Sequence, residues 1–175
     1  GALGPTRMNY PRALATVDIG PLPALRREPW VVLPQVLEGR KGARLALEAM
    51  RHTPTDVRMK IFGEGPDEPA LRRRVAAMGL ADRVEIVGKL PRDEALDMLR
   101  RAAAVVFTGL CEDGGCALSE AMQLGLPVVV RDHGGPKELL DRYAMDMSRV
   151  ARVSPGGSTE TAGAVAAALP RFARR

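Results

Sequence analysis

The chain has 175 residues, the length of one domain, and its 46% hydrophobic and 27% charged residues are typical of a folded globular protein, not of a disordered or fibrous one. Aromatic side chains make up only 3%, too few for a surface that stacks nucleic-acid bases, so we expect no nucleic-acid partner. The 26 basic and 21 acidic residues give a net charge of +5, which favours anionic partners such as phosphates, nucleotides or an acidic membrane surface.

The lack of a recognisable targeting segment and the scarcity of cysteines lead us to expect a protein of the cell interior. No apolar run approaches the roughly 18 residues of a membrane-spanning helix, and the chain does not start with a charged segment followed by an apolar one. We therefore expect a cytoplasmic protein. Cys111 and Cys116 have neither a second cysteine pair nor a histidine cluster beside them, which favours two reduced thiols and no metal.

The chain divides at about residue 30. Residues 1–29 hold five of the fourteen prolines and show no regular period, which predicts a linker or interdomain strap. From residue 30 to residue 175, short apolar runs alternate with amphipathic segments. The runs predict strands at 30–36, 57–62, 84–87, 104–107, 127–130 and 149–153. The amphipathic segments predict helices at 41–51, 68–78, 93–102, 117–124, 136–141 and 158–172.

This alternation predicts an α/β fold, a single Rossmann-like, doubly wound parallel sheet of about six strands with helices on both faces. Glycine-bearing loops follow five of the predicted strands, at 39–42, 63–66, 88–91, 109–115 and 132–135. Because the carboxyl ends of parallel strands share one edge, these loops predict an edge that binds a phosphate-bearing ligand. Any one of these glycines alone is equally explained by a tight turn, so the prediction depends on all five.

Two glutamates mark the fourth of these loops and the helix after it. Glu112 lies in the loop and Glu120 about one turn into the helix, with Gly114 and Gly115 between them. A carboxylate at the position of Glu120 accepts hydrogen bonds from two adjacent ribose hydroxyls, and the glycines leave backbone N–H groups open to sugar or phosphate oxygens. The structural alternative is that Glu120 only complements its helix dipole and Glu112 is a solvated loop charge.

With these motifs in place, residues 30–153 resemble the C-terminal, donor-binding domain of retaining GT-B glycosyltransferases, the family 4 or group 1 enzymes. The matching positions, in chain order, are Lys41-Gly42, Gly63 to Pro66, Val87-Gly88, Asp93-Glu94, Glu112, Gly115, Glu120-Ala121-Met122, Gly125, Pro127-Val128-Val129, Gly134, Gly135 and Glu138. The resemblance implies one half of a GT-B fold, with an acceptor-binding N-terminal domain in the same or a separate chain. It also implies a nucleoside-diphosphate sugar as donor and metal-independent transfer that retains the anomeric configuration.

The resemblance further implies roles for individual residues. Lys41 would contact the donor diphosphate, and Glu120 would hold the ribose. Glu112 would be the catalytic carboxylate beside the transferred sugar. The remaining implied contacts, to the sugar and beside the base, are Gly114, Gly115, Cys116, Ala117, Gly88, Lys89 and Leu90.

The sequence departs from the family pattern at several positions. An arginine about five residues before the Lys-Gly pair is replaced by Gln35 and Val36, and Arg40 is the candidate substitute. Asp113 adds a carboxylate to the motif of Glu112. Thr108-Gly109 replaces a Pro-Ser pair. His133, at the end of the fifth strand, is a further candidate contact for phosphate or sugar.

Other functions remain open at this stage. A non-catalytic nucleotide-binding or interaction domain derived from such an enzyme is favoured by the missing arginine. A sugar-nucleotide epimerase has similar architecture. A dinucleotide-dependent oxidoreductase is disfavoured, because the first strand is not followed by G-x-G-x-x-G. The arginines near the C-terminus, Arg171, Arg174 and Arg175, are most simply solvated, with peripheral membrane contact as the alternative.

Overall fold

A computed structural model describes residues 28–109, 116–143 and 147–173. Within them, one sheet contains six strands, which we number in chain order: β1 Trp30–Pro34, β2 Arg58–Phe62, β3 Val84–Gly88, β4 Ala104–Phe107, β5 Val128–Arg131 and β6 Val150–Val153. The strands are short and rich in valine, whose branched side chains suit the pleated surface. Their positions confirm the six predicted strands, with differences of one or two residues at their ends.

The strand order is β3-β2-β1-β4-β5-β6, and every neighbouring pair is parallel. This order confirms the predicted doubly wound, Rossmann-like sheet. The chain direction across the sheet reverses between β1 and β4, so the loops that leave these two strands diverge at that point. In open sheets of this kind the crevice at such a switch point is where ligands bind.

Helices cover both faces of the sheet: α1 Ala43–Arg51, α2 Glu68–Ala77, α3 Arg92–Arg101, α4 Cys116–Gln123, α5 Gly134–Tyr143, α6 Ser158–Ala168 and α7 Pro170–Ala173. One core packs α1, α2 and α6 against the sheet through residues such as Leu47, Leu71 and Val165. The other packs α3, α4 and α5 through residues such as Leu99, Leu118 and Leu140. No described helix is long and apolar enough to cross a bilayer.

The predicted helices differ from the observed ones by one or two residues at their ends, and two of the differences have a clear physical cause. The helix predicted at 158–172 is interrupted at Leu169, because Pro170 has no N–H to donate and its ring crowds the preceding turn. The helix predicted to start at residue 41 starts instead at Ala43, after a 3-10 turn over Gly39–Lys41. Gly42, with a φ of +82°, reverses the backbone between the two.

The division near residue 30 agrees with the start of β1 at Trp30. Residues 1–27, which make up most of the predicted linker, lie outside the described residues. The linker and the domain boundary therefore stay predictions.

Candidate functional site

The loops that follow β1 and β4 meet at the switch point of the sheet. A Cβ atom added to Gly42 would lie 2.4 Å from the carbonyl oxygen of Thr108, so only glycine allows this approach. The buried hydroxyl of Thr108 donates a hydrogen bond of 2.8 Å to the carbonyl oxygen of Gly42. The two loops are thus fixed to each other where the crevice begins, and the segment that carries Glu112 starts two residues further on.

Lys41 and Arg40 occupy the 3-10 turn at this junction. Lys41 is only 4% exposed, which is unusual for an ammonium group. It directly precedes Gly42, the N-cap residue of α1. Arg40 is more than half exposed, and its Nε donates to Oε1 of Glu38 at 2.7 Å. The structure therefore places a buried cation at the switch point and a solvated, ion-paired one beside it.

The Gly-x-Gly-Pro loop after β2 serves packing between loops. A Cβ atom on Gly63, whose φ is +136°, would lie 1.8 Å from the carbonyl oxygen of Gln35, and one on Gly65 would lie 2.3 Å from that of Leu37. These glycines let the loop after β2 pack directly on the loop after β1. For Gly63 and Gly65 the structure thus gives a packing reason for glycine that involves no ligand. Gly88 differs, because its Cβ position is open.

Gln35 and Val36, which replace the expected arginine, have opposite environments. Gln35 is 9% exposed, and no described residue hydrogen-bonds to its Oε1 or Nε2. Val36 is 51% exposed, high for a large apolar side chain. A buried amide without partners is costly, since each group loses its hydrogen bonds to water without replacement.

Helix α4 carries Cys116, Ala117 and Glu120. Cys116 is exposed and has a free thiol, and Ala117 is partly buried beside the second core. The Glu120 side chain is 10% exposed, and its Oε1 accepts a 2.9 Å hydrogen bond from Nη1 of Arg92, the first residue of α3. The position of Glu120 one turn into the helix agrees with the prediction from the sequence. Arg92 was missed there, because nothing in its local pattern indicates a partner 28 residues away.

The loop from β3 to α3 contains Gly88, Lys89 and Leu90. Gly88 ends β3 with a φ of +87°. Lys89 is exposed and forms an ion pair with Glu64 on the loop after β2. Leu90 packs against the second core. This loop thus offers an open backbone at Gly88 and a fixed position set by Leu90.

His133 is exposed and directly precedes α5, and an ion-pair network orders the chain around it. Nη1 of Arg152 on β6 lies 3.1 Å from Oδ1 of Asp132 and 2.6 Å from Oδ1 of Asp141, which also pairs with Lys137. The hydrogen bond from Lys137, and then that from Arg152, holds the pKa of Asp141 below its usual value, and the same carboxylate raises the pKa of Lys137.

Three predicted site residues, Glu112, Gly114 and Gly115, lie outside the described residues. Within the described ranges no three His, Cys, Asp or Glu side chains are grouped so that they would hold a metal ion. A groove of about 560 Å³ lies elsewhere, between α3 and the starts of β1 and β2, where Trp30, Lys60 and Asp97 line it. The amino group of Lys60 lies 4.3 Å from the centre of the Trp30 ring. Of the predicted site residues that the structure describes, only Leu90 borders this groove, so the site is assigned to the carboxyl-end edge.

Fold and edge together define a parallel α/β domain with a crevice at the switch point of its sheet. Residues 22–149 match the family of glycosyl transferases group 1. The chain belongs to this family.

The chain is similar to several curated proteins and solved structures. The putative colanic acid biosynthesis glycosyltransferase WcaL of Escherichia coli is 34% identical over 114 residues, which are 60% of this chain and 28% of WcaL. The phosphatidylinositol N-acetylglucosaminyltransferase gpi3 subunit of Schizosaccharomyces pombe is 28% identical over 169 residues, 93% of this chain and 36% of that protein. The crystal structure of Anabaena HepE in complex with UDP and glucose superposes with a TM-score of 0.67 at 22% identity, over 84% of this chain and 41% of HepE.

These lengths place the chain as a part of a family member. It spans between about a quarter and just over a third of the curated relatives described above. The activity of a complete family member is therefore a proposal for this chain.

Proposed function

We propose that this chain is the donor-binding half of a retaining glycosyltransferase, which binds a nucleoside-diphosphate sugar at the carboxyl-end edge of the sheet. The observation that carries the proposal is the junction of Gly42 and Thr108, which joins the buried Lys41 to the start of the Glu112 loop at the switch point. The HepE structure, which has a similar fold, contains UDP and glucose, and this supports the choice of ligand class.

Within this proposal each group has a chemical task. As the bond from the anomeric carbon to the diphosphate breaks, negative charge grows on the leaving phosphate. Lys41, with Arg40 and the N–H groups at the start of α4, would stabilise that charge, so the proposal needs no metal ion. Glu120 would fix the ribose, and the backbone at Gly88 would lie beside the base. Glu112 would lie beside the transferred sugar.

Binding of nucleoside diphosphates tests the proposal directly. Calorimetry with UDP, GDP and ADP should show binding of at least one of them, and NMR shift changes should cluster on the loops after β1, β3 and β4. Glu120→Gln should weaken that binding by about 1 to 2 kcal/mol, the scale of a hydrogen bond to a charged group. Binding on another face of the sheet, or an unchanged dissociation constant for a folded Glu120→Gln variant, would contradict the proposed site.

Transfer itself needs a second domain in this proposal. The acceptor hydroxyl must lie within about 3 to 3.5 Å of the anomeric carbon, in a site that excludes water. Adding an acceptor-binding N-terminal domain, in the same chain or as a separate one, should therefore give transfer with retained configuration. The chain by itself should at most hydrolyse its donor slowly. Efficient transfer by the isolated chain would contradict the proposal that an acceptor-binding domain is required.

A second candidate is a binding domain without catalysis. It is favoured by Val36, exposed where the family places an arginine, and by Gln35, whose buried amide has no partner among the described residues. If the completed protein binds a nucleoside diphosphate but transfers no sugar from any donor, this second candidate is the correct one.

A further inference from the structure

Glu120 is the only buried carboxylate among the described residues, and Arg92 is its ion-pair partner. The two side chains differ in exposure, at 10% for Glu120 and 58% for Arg92. A carboxylate removed from water is strongly disfavoured unless it is paired, so the guanidinium compensates the burial of Glu120 from the solvent side. The pair also joins two elements, since Arg92 starts α3 and Glu120 lies within α4.

The contact engages one oxygen of the carboxylate. Nη1 of Arg92 donates to Oε1 of Glu120, and no hydrogen bond from a described residue reaches Oε2. Arginine–carboxylate pairs are frequently bidentate, with two parallel hydrogen bonds. The single hydrogen bond observed leaves Oε2 without a donor among the described residues, so it is available to another donor.

We propose that Arg92 is a positioning residue for the ribose, which holds Oε1 of Glu120 so that the carboxylate presents Oε2 to the ribose hydroxyls. This inference rests on the proposed function. Arg92 follows the loop of Gly88, Lys89 and Leu90, so the pair fixes the base-side loop relative to the ribose-binding helix. Arg92 acts through Glu120 and makes no contact with the diphosphate in this proposal.

The hydroxyls of the ribose provide the test. The binding of UDP, GDP and ADP to the full chain is compared with that of their 2′,3′-dideoxy forms, for wild type, Arg92→Ala and Arg92→Lys. Arg92→Ala should weaken binding of the ribose form about fivefold, the upper range for a partly exposed ion pair, and leave the dideoxy form unchanged. Arg92→Lys should restore part of the loss, because it keeps the charge without the planar fork.

Arg72→Ala is the matched control. Arg72 is 51% exposed and pairs with Glu68 on α2, so its removal changes net charge equally without touching the edge of the sheet. The affinity of Arg72→Ala for both the ribose and the dideoxy forms should equal that of wild type. An equal loss of both forms in Arg92→Ala would show a direct contact with the phosphates, and no loss of either form would show no role in binding. Either result overturns the inference and leaves the proposed function standing.

Thermal unfolding without nucleotide provides a separate measurement. If the pair compensates the buried charge, Arg92→Ala should lower Tm in the wild-type background and lower it less when Glu120 is already Gln. Equal decreases of Tm in the wild-type and Glu120→Gln backgrounds would show that Arg92 does not compensate the charge of Glu120. The Tm decreases could differ between the two backgrounds while wild type binds no nucleoside diphosphate. That result would overturn both the proposed function and the ribose role of Arg92.

Discussion

Thr53 lies at the amino-end edge of the sheet, where the strands begin, and Gln35 at the carboxyl-end edge, where they end; both are buried, but they differ in their hydrogen bonds. At the amino-end edge, Thr53 donates to the carbonyl oxygen of Met50 at 2.9 Å and accepts from Arg83. Nε and Nη2 of Arg83 also donate to the carbonyl oxygens of Val57 and Pro54, at 3.2 and 2.8 Å. Every polar group in this set therefore has a partner within the protein.

At the carboxyl-end edge, two buried side chains have fewer partners. Among the described residues the amide of Gln35 has no hydrogen-bond partner, and Glu120 has one contact on one oxygen. Most buried polar groups in native proteins are hydrogen-bonded, as Thr53 is. The comparison therefore teaches that the less satisfied of these groups lie at the edge where we propose a binding site.

The largest expected effect comes from the glycine that joins two loops of the carboxyl-end edge. Gly63→Ala would place Cβ 1.8 Å from the carbonyl oxygen of Gln35. The loops must then separate, and we expect the free energy of unfolding to fall by about 4 kcal/mol or more. Gly79→Ala is the control, since its φ is +65° and its Cβ position is empty. It should lose only about 1 kcal/mol for the left-handed conformation. Urea denaturation measures both, and equal losses would mean that the loop contact is not rigid.

A smaller effect, of opposite sign, is expected at Gln35. Replacing the unpartnered amide by the similarly shaped apolar side chain in Gln35→Met removes two buried polar groups, which should raise the free energy of unfolding by about 1 kcal/mol. Denaturation of the ligand-free protein measures this change. A loss of stability would show that the amide is satisfied in solution, and the comparison of the two edges would then weaken.

The smallest effect concerns pH and the network of Asp141. Its pKa is lowered in the folded state by Lys137 and Arg152, so its contribution to stability is present above the unfolded pKa of an aspartate and is lost as pH falls through the lower, folded pKa. Asp141→Asn should therefore reduce the slope of Tm against pH in the acidic range. Lys137→Met should reduce the same slope less, because Arg152 still pairs with Asp141. If the slope of Tm against pH is the same in Asp141→Asn as in wild type, solvent screens the ion pairs of Asp141 with Lys137 and Arg152 completely.

The sheet was predictable from the sequence because its strands are short apolar runs, rich in valine in all but β2, between turn signals. The strand at 104–107 was predicted to the residue, since AVVF is buried throughout and flanked by polar or small residues. Helix ends were less predictable. Pro170 splits the last helix, whereas Pro69 is accommodated in the first turn of α2, and the difference lies in position within the helix.

The candidate site was predictable only in part. The placement of Lys41 and Glu120 at the shared edge follows from parallel strands alone. The partnership of Arg92 with Glu120 and the packing of Gly63 on Gln35 depend on contacts between loops that are distant in sequence. No local pattern encodes such contacts. The roles implied for Glu112, Gly114 and Gly115 stay predictions.

Trp30 has a practical consequence for each of these measurements. It is the one tryptophan of the chain, and it starts β1 at the amino-end edge, beside the amino group of Lys60. A strand of five residues is about 16 Å long, so the indole lies far from any ligand at the carboxyl-end edge. Its fluorescence should therefore report the unfolding of the sheet and remain nearly constant when nucleotide binds. One sample can then be followed optically for stability while calorimetry measures affinity.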